Sequence, residues 1–175
     1  SKVTTMSATF ASASAFSHDV GERETSRVIS FEAMFSFASA FNHDISAWNT
    51  SRATTMESMF SHASAFNSNG IGAWDTSSVS TMLGTFHYAN TFNQDIGAWD
   101  TSSASTMWGT FSNAAAFNKD VDSWDTSSAT SMQQMFPTLT TSAFNQDISE
   151  WDTGSVTYLS GMFDGAAAFN QDLSG

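Results

Sequence analysis

The sequence predicts an α/β repeat solenoid, with one short parallel strand and one short helix or helical turn in each copy of a unit of about 25 residues. Three observations lead there. An apolar register returns at near-constant spacing, and the insertions that disturb it fall in only two places. Within one unit, the apolar spacing passes from alternation to intervals of three and four.

Met6, Phe31, Met56, Met82, Met107, Met132 and Leu159 carry the register, at successive offsets of 25, 25, 26, 25, 25 and 27 residues. The extra residue before Met82 falls in "FNSNGIGAW", where the preceding copy has "FNHDISAW". The two extra before Leu159 fall in "FPTLTTSAF", which holds the only proline, Pro137. Such places read as loops. A unit this short cannot bury its own apolar face, so the copies are expected to stack as one solenoid of about seven repeats over 1–175, partial at both ends. Neither "SKVTTM" nor "NQDLSG" looks like a polar cap, so a longer array or end-to-end contact is expected.

In the copy "FNQDIGAWDTSSASTMWGTFSNAAAF", the segment Ile96 to Thr101 is the expected strand, with Trp99 in, Asp100 out and Thr101 in. Ala104, Met107 and Phe111 follow at helical spacing, and Ser102 or Ser103 is the expected N-cap. Ala-rich "SNAAAF" and "DGAAAF" favour helix over a pure β-helix. "FNQD" closes the unit with side-chain-stabilised turns.

Composition narrows the function. Aromatics at 14% supply an ample core, and the absence of Cys excludes disulfides and thiolate metal chemistry. Five Lys+Arg against 17 Asp+Glu give a net charge of −12, which repels nucleic acid and anionic lipid and also favours solubility. No apolar run reaches the ~20 residues of a membrane span, and "SKVTTMSATF" lacks the layout of a signal peptide.

The combination of "FNQDI", "WDTSS", a following Val or Ala, Met and "MF" resembles the BspA-like, leucine-rich-repeat-related surface proteins. These repeats also occur in mycoplasma lipoproteins, where they form a domain of unknown function. The resemblance covers complete copies from Phe16 to Ala168 and partial ones at both ends. It implies a leucine-rich-repeat-like right-handed coil, a secreted or cell-surface setting, and a role in adhesion or protein recognition. Family members commonly carry Asn where this chain has Arg27, Arg52, Ser78, Ser103, Ser128 and Ser155. The family supplies no catalytic residues.

In a stack, each position becomes a column. Trp48, Trp74, Trp99, Trp124 and Trp151, with Arg23 in the first copy, read as core rather than as exposed sugar-stacking rings. The next column, Glu24, Asn49, Asp75, Asp100, Asp125 and Asp152, is the candidate binding surface. Its mutual repulsion needs an offset from neighbouring Ser/Thr hydroxyls, bound cations or a basic partner; local bonding within "WDTSS" is the plainer reading, and no Ca2+ loop pattern is present. Asp19, Asp44, Asp95, Asp120, Asp147 and Asp172, beside Asn42, Asn67, Asn93, Asn118, Asn145 and Asn170, read as turn-holding columns.

Thr50, Thr76, Thr101, Thr126 and Thr153, together with Thr55, Thr81 and Thr106, form the alternative surface, an ice-binding array if flat and exposed. His18 and His43 share a column that continues as Gln and Lys, and His62 and His87 are offset by one position, so no metal site is expected. Every candidate carboxylate recurs in one repeated setting, without the unique constellation catalysis requires. A non-enzymatic recognition or adhesion module for protein or glycan is therefore expected, with no cofactor; a passive spacer is the other reading.

Overall fold

The computed structural model describes residues 2–138 and 142–173. The insertion read in "FPTLTTSAF" lies partly outside them, as do the first residue of "SKVTTM" and the last two of "NQDLSG".

The α/β fold class is not what forms. Among the described residues the only helix is a three-residue 3-10 turn, Ile71–Ala73, and there is no strand and no sheet. Neighbouring repeats meet instead through isolated parallel bridges, one per repeat: Thr5 to Ser30, then Thr55, Thr81, Thr106, Ser131 and Tyr158 in succession. The rest of each repeat is turns joined by irregular segments.

The expected helix fails for a reason visible in its amides. Met107, Gly109, Phe111 and Asn113 donate to carbonyls of Ser131, Gln133, Met135 and Pro137 in the next repeat, at 2.8–2.9 Å. The alternate amides, of Thr110, Ser112 and Ala114, close turns on Met107, Gly109 and Phe111. An α-helix would spend all of these donors internally. Left-handed residues at Gly109 (φ 60°) and Asn113 (φ 58°) turn every second amide outward. A helix of two or three turns is marginal by itself, so several inter-repeat bonds outweigh the helix propensity of alanine. With no helix there is nothing to cap: the Ser102 hydroxyl donates to Asp100 and that of Ser103 to the Ser77 carbonyl.

The expected strand fails likewise. The Trp99 amide closes a turn on Ile96, and the Ala104 amide closes another on Thr101. The in–out–in alternation survives without the strand, since Trp99 and Thr101 are buried and Asp100 is exposed.

The core is three aromatic columns. Phe35, Phe60, Phe86, Phe111 and Phe136 stack at centroid spacings of 5.5–5.7 Å. Phe41, Phe66, Phe92, Phe117 and Phe144 stack at 5.8–6.1 Å. Each ring of the first column also lies 3.8–4.0 Å from its partner in the second. Trp48, Trp74, Trp99 and Trp124 form the third column at 6.4 Å. Such offset stacks add about 0.5–1.5 kcal/mol per pair to the area they bury. The Met column fills the space beside them, from Met56 to Met132.

Candidate functional site

Turn chemistry positions the acidic face. Asp75, Asp100 and Asp125 each accept, through Oδ1, both the amide and the hydroxyl of the serine two positions on; the hydroxyl bonds are 2.6 Å. Asn49 makes the same pair of bonds with Ser51, and Glu24 and Asp152 accept the amides of Ser26 and Gly154. All six side chains are exposed. The local bonding expected within "WDTSS" is thus present in each copy. Donor hydroxyls and then amides hold the Asp75, Asp125 and Glu24 carboxyls below the usual carboxylate range. These three carboxyls consequently stay ionised at neutral pH.

The second acidic column is built the same way: Asp19, Asp44, Asp95, Asp120 and Asp147 each accept the amide two residues on. The Ser46 and Ser149 amides are the main cause that lowers the Asp44 and Asp147 carboxyls. Beside it, each Asn Oδ1 accepts the amide of the Asn one repeat later, from Asn42–Asn67 to Asn145–Asn170, at 2.8–3.0 Å. Open depressions lie between the two acidic columns, one lined by Asp19, Glu24 and Asp44, another by Asp120, Asp125 and Asp152. Arg23 is an exposed basic residue on the first of them. Among the described residues no group of three or more His, Asp or Glu is placed to hold a metal ion.

The other candidates sit elsewhere. Thr50, Thr76, Thr101 and Thr126 are 1–2% exposed, and each hydroxyl donates to the carbonyl of the acidic-column residue in the next repeat at 2.9 Å. That burial withdraws them from any contact with ice. Thr153 is exposed, and Thr55, Thr81 and Thr106 are half-buried bridge residues. The tryptophan column is also buried, and each indole Nε1 donates to a main-chain carbonyl of an earlier repeat, Trp99 to Ile71 for example. A row of exposed tryptophans for sugar binding is therefore absent among the described residues. No helix there is long and apolar enough to cross a membrane.

Reading the sequence by copies missed one surface feature. Phe37, His62 and Tyr88 occupy one column and stack, Phe37 on His62 at 4.2 Å and His62 on Tyr88 at 4.6 Å. All three adopt left-handed backbone, with φ of 60°, 57° and 55°. Asn113 and Gly165 are ordinary occupants of that region, whereas each aromatic carries strain of about 1–3 kcal/mol. His87 packs edge-on against both His62 and Tyr88. Burial pushes the His62 and His87 imidazoles below their ordinary value, and for His87 the neighbouring His62 adds to it. The signal was available as three aromatic or imidazole side chains in one column otherwise holding Ser12, Asn113, Thr138 and Gly165.

No curated protein matches the chain, and no solved structure does. One family does match, over residues 1–71 and 67–175. The chain therefore belongs to the repeat family described as "Mycoplasma protein of unknown function, DUF285".

Proposed function

We propose that the chain is a secreted or cell-surface recognition module, of the adhesive kind that the BspA-like resemblance implies, and that its acidic column engages cationic groups on a protein or glycan. One observation carries this reading: six exposed polar positions, Glu24, Asn49, Asp75, Asp100, Asp125 and Asp152, each fixed by its own turn and repeated along the stack. Like charges in a row cost stability unless something offsets it. The serine donors provide part of the offset, and a basic partner would complete it. Weak contacts repeated on one rigid face add up through multivalency. Catalysis is disfavoured by the same regularity, because the carboxylates share one environment.

The test is binding of a lysine-rich polypeptide to the immobilised chain across a salt series. Asp75→Asn, Asp100→Asn and Asp125→Asn together should weaken it by roughly tenfold or more at low salt, with the difference shrinking as salt rises. Asparagine keeps the turn-accepting oxygen, as Asn49 does naturally, so the fold is preserved. Unchanged affinity in the triple variant would remove the acidic face from the function.

A further inference from the structure

The aromatic column ends abruptly. His62 is stacked on both faces, by Phe37 and Tyr88, whereas Phe37 has one ring neighbour among the described residues and is 52% exposed. The position that would carry the next ring belongs to Ser12, whose amide is bonded to Ser36 and whose backbone is left-handed like that of Phe37. A face of Phe37 is thus left open at a place where the column's own period calls for one more ring.

The surroundings select what kind of ring. Two residues after the column position, the first four repeats present a small polar side chain: Ser14, Ser39, Ser64 and Asn90. Ser14, Ser39 and Asn90 are exposed, and the Ser39 amide is tied to the Phe37 carbonyl. An aromatic face beside neutral serine hydroxyls matches a ligand with a flat C–H face and hydroxyl edges. The net charge of −12 disfavours an anionic sugar. Strained left-handed aromatics in three successive repeats are what a functional demand would maintain against the easier Asn, Ser or Gly.

We propose that the open face of Phe37, backed by the stacked His62 and Tyr88 rings and rimmed by Ser14 and Ser39, binds a neutral sugar ring of a glycan. This deepens the recognition reading above but uses columns distinct from the acidic ones.

The test is titration of the chain with chitotetraose, cellotetraose, maltotetraose and mannotetraose, by calorimetry and by saturation transfer from the aromatic protons; oligogalacturonate is the anionic control. At least one neutral oligosaccharide should bind, and oligogalacturonate should not. Phe37→Ala should weaken binding roughly tenfold. Ser12→Tyr, which places a ring over the open face, should abolish it while raising the melting temperature, and it remains informative if Phe37→Ala fails to fold. Failure of every neutral oligosaccharide to bind overturns the proposal, as does either variant binding like the unaltered chain. Lysine-polypeptide binding measured in parallel separates the two readings: Phe37→Ala should leave it intact, and the triple Asp→Asn variant should leave sugar binding intact.

Discussion

The indole Nε1 of Trp99 donates to the main-chain carbonyl of Ile71, 2.9 Å away and 28 positions earlier in the chain. Trp48, Trp74, Trp124 and Trp151 make the same bond to Val20, Ile45, Ile96 and Val121, so the tryptophan column both packs the core and pins repeat to repeat. Trp99→Phe keeps an aromatic ring but removes the inter-repeat donor to the buried Ile71 carbonyl, which retains only the Trp74 amide, and leaves a void. The expected loss is about 2–4 kcal/mol in urea unfolding. Trp151→Phe should cost less, since Trp151 is the most exposed of the column at 8%. Equal losses at the two sites would mean that burial does not set the cost.

A second pin is the Thr101 hydroxyl, which donates to the Asp125 carbonyl while only 1% exposed. Thr101→Val conserves shape but leaves that carbonyl without its donor, for an expected loss of about 1–3 kcal/mol. Thr101→Ser retains the donor and loses only a methyl group, about 1 kcal/mol. If valine were the milder of the two, the hydroxyl would not be holding the repeats together.

These two columns also show what was legible in the sequence. Burial was, because apolar identity at a repeated position reads directly as a core column: Trp99, Met107, Phe111 and Phe117 all lie inside. The alternation around Asp100 was legible too, and so was the asparagine ladder. Secondary structure was not, because helical spacing at Ala104, Met107 and Phe111 arises equally from overlapping turns with left-handed residues between them. Gly84, Gly109 and Gly161, at one position of three repeats in the middle of the supposed helix, were the available warning. Whether Thr101 faced water or a carbonyl depended on inter-repeat bonding that no single copy contains. The aromatic column of Phe37, His62 and Tyr88 lies six positions after Phe31, Met56 and Met82 of the register, but its mixed Phe, His and Tyr do not repeat one residue type as the Trp column does.

His62 and His87, with ring centroids 5.2 Å apart, give the stability a pH dependence above the carboxylate range. Burial lowers both imidazoles from the ordinary value of 6.5. A base with a depressed folded pKa binds fewer protons folded than unfolded. Its contribution is therefore intact above 6.5 and is lost as pH falls toward the lowered folded value. The melting temperature should drop between roughly pH 7 and pH 5, and the His62→Gln, His87→Gln double variant should flatten that step. A separate decline below about pH 4 should persist in the double variant, because Glu24, Asp44, Asp75, Asp125 and Asp147 have lowered folded pKa values and lose their contribution there. An unaltered step near pH 6 in the double variant would assign it to other groups.

Two glycines distinguish backbone conformation from close approach. Gly109 has φ of 60°, yet a Cβ built there meets nothing nearer than 3.8 Å, and the same column holds Ala8, Ala33, Ser58 and Gln134 in left-handed backbone. Gly109→Ala should therefore cost only the left-handed penalty, about 1–2 kcal/mol. At Gly72 the obstacle is steric: its Cβ would collide with the main-chain carbonyl oxygen of Asp95 in the next repeat, closer than real Cβ atoms approach. Backbone cannot swing aside as a long side chain does, so Gly72→Ala must shift the contact between those two repeats. Its loss should exceed that of Gly109→Ala, and local opening should be confined to the repeats around Gly72 and Asp95. Hydrogen exchange resolved by residue checks both, with faster exchange at amides flanking residues 72 and 95 expected for the first variant alone. Equal losses for the two variants would mean that the repeats are not packed closely enough there for a single methyl group to matter.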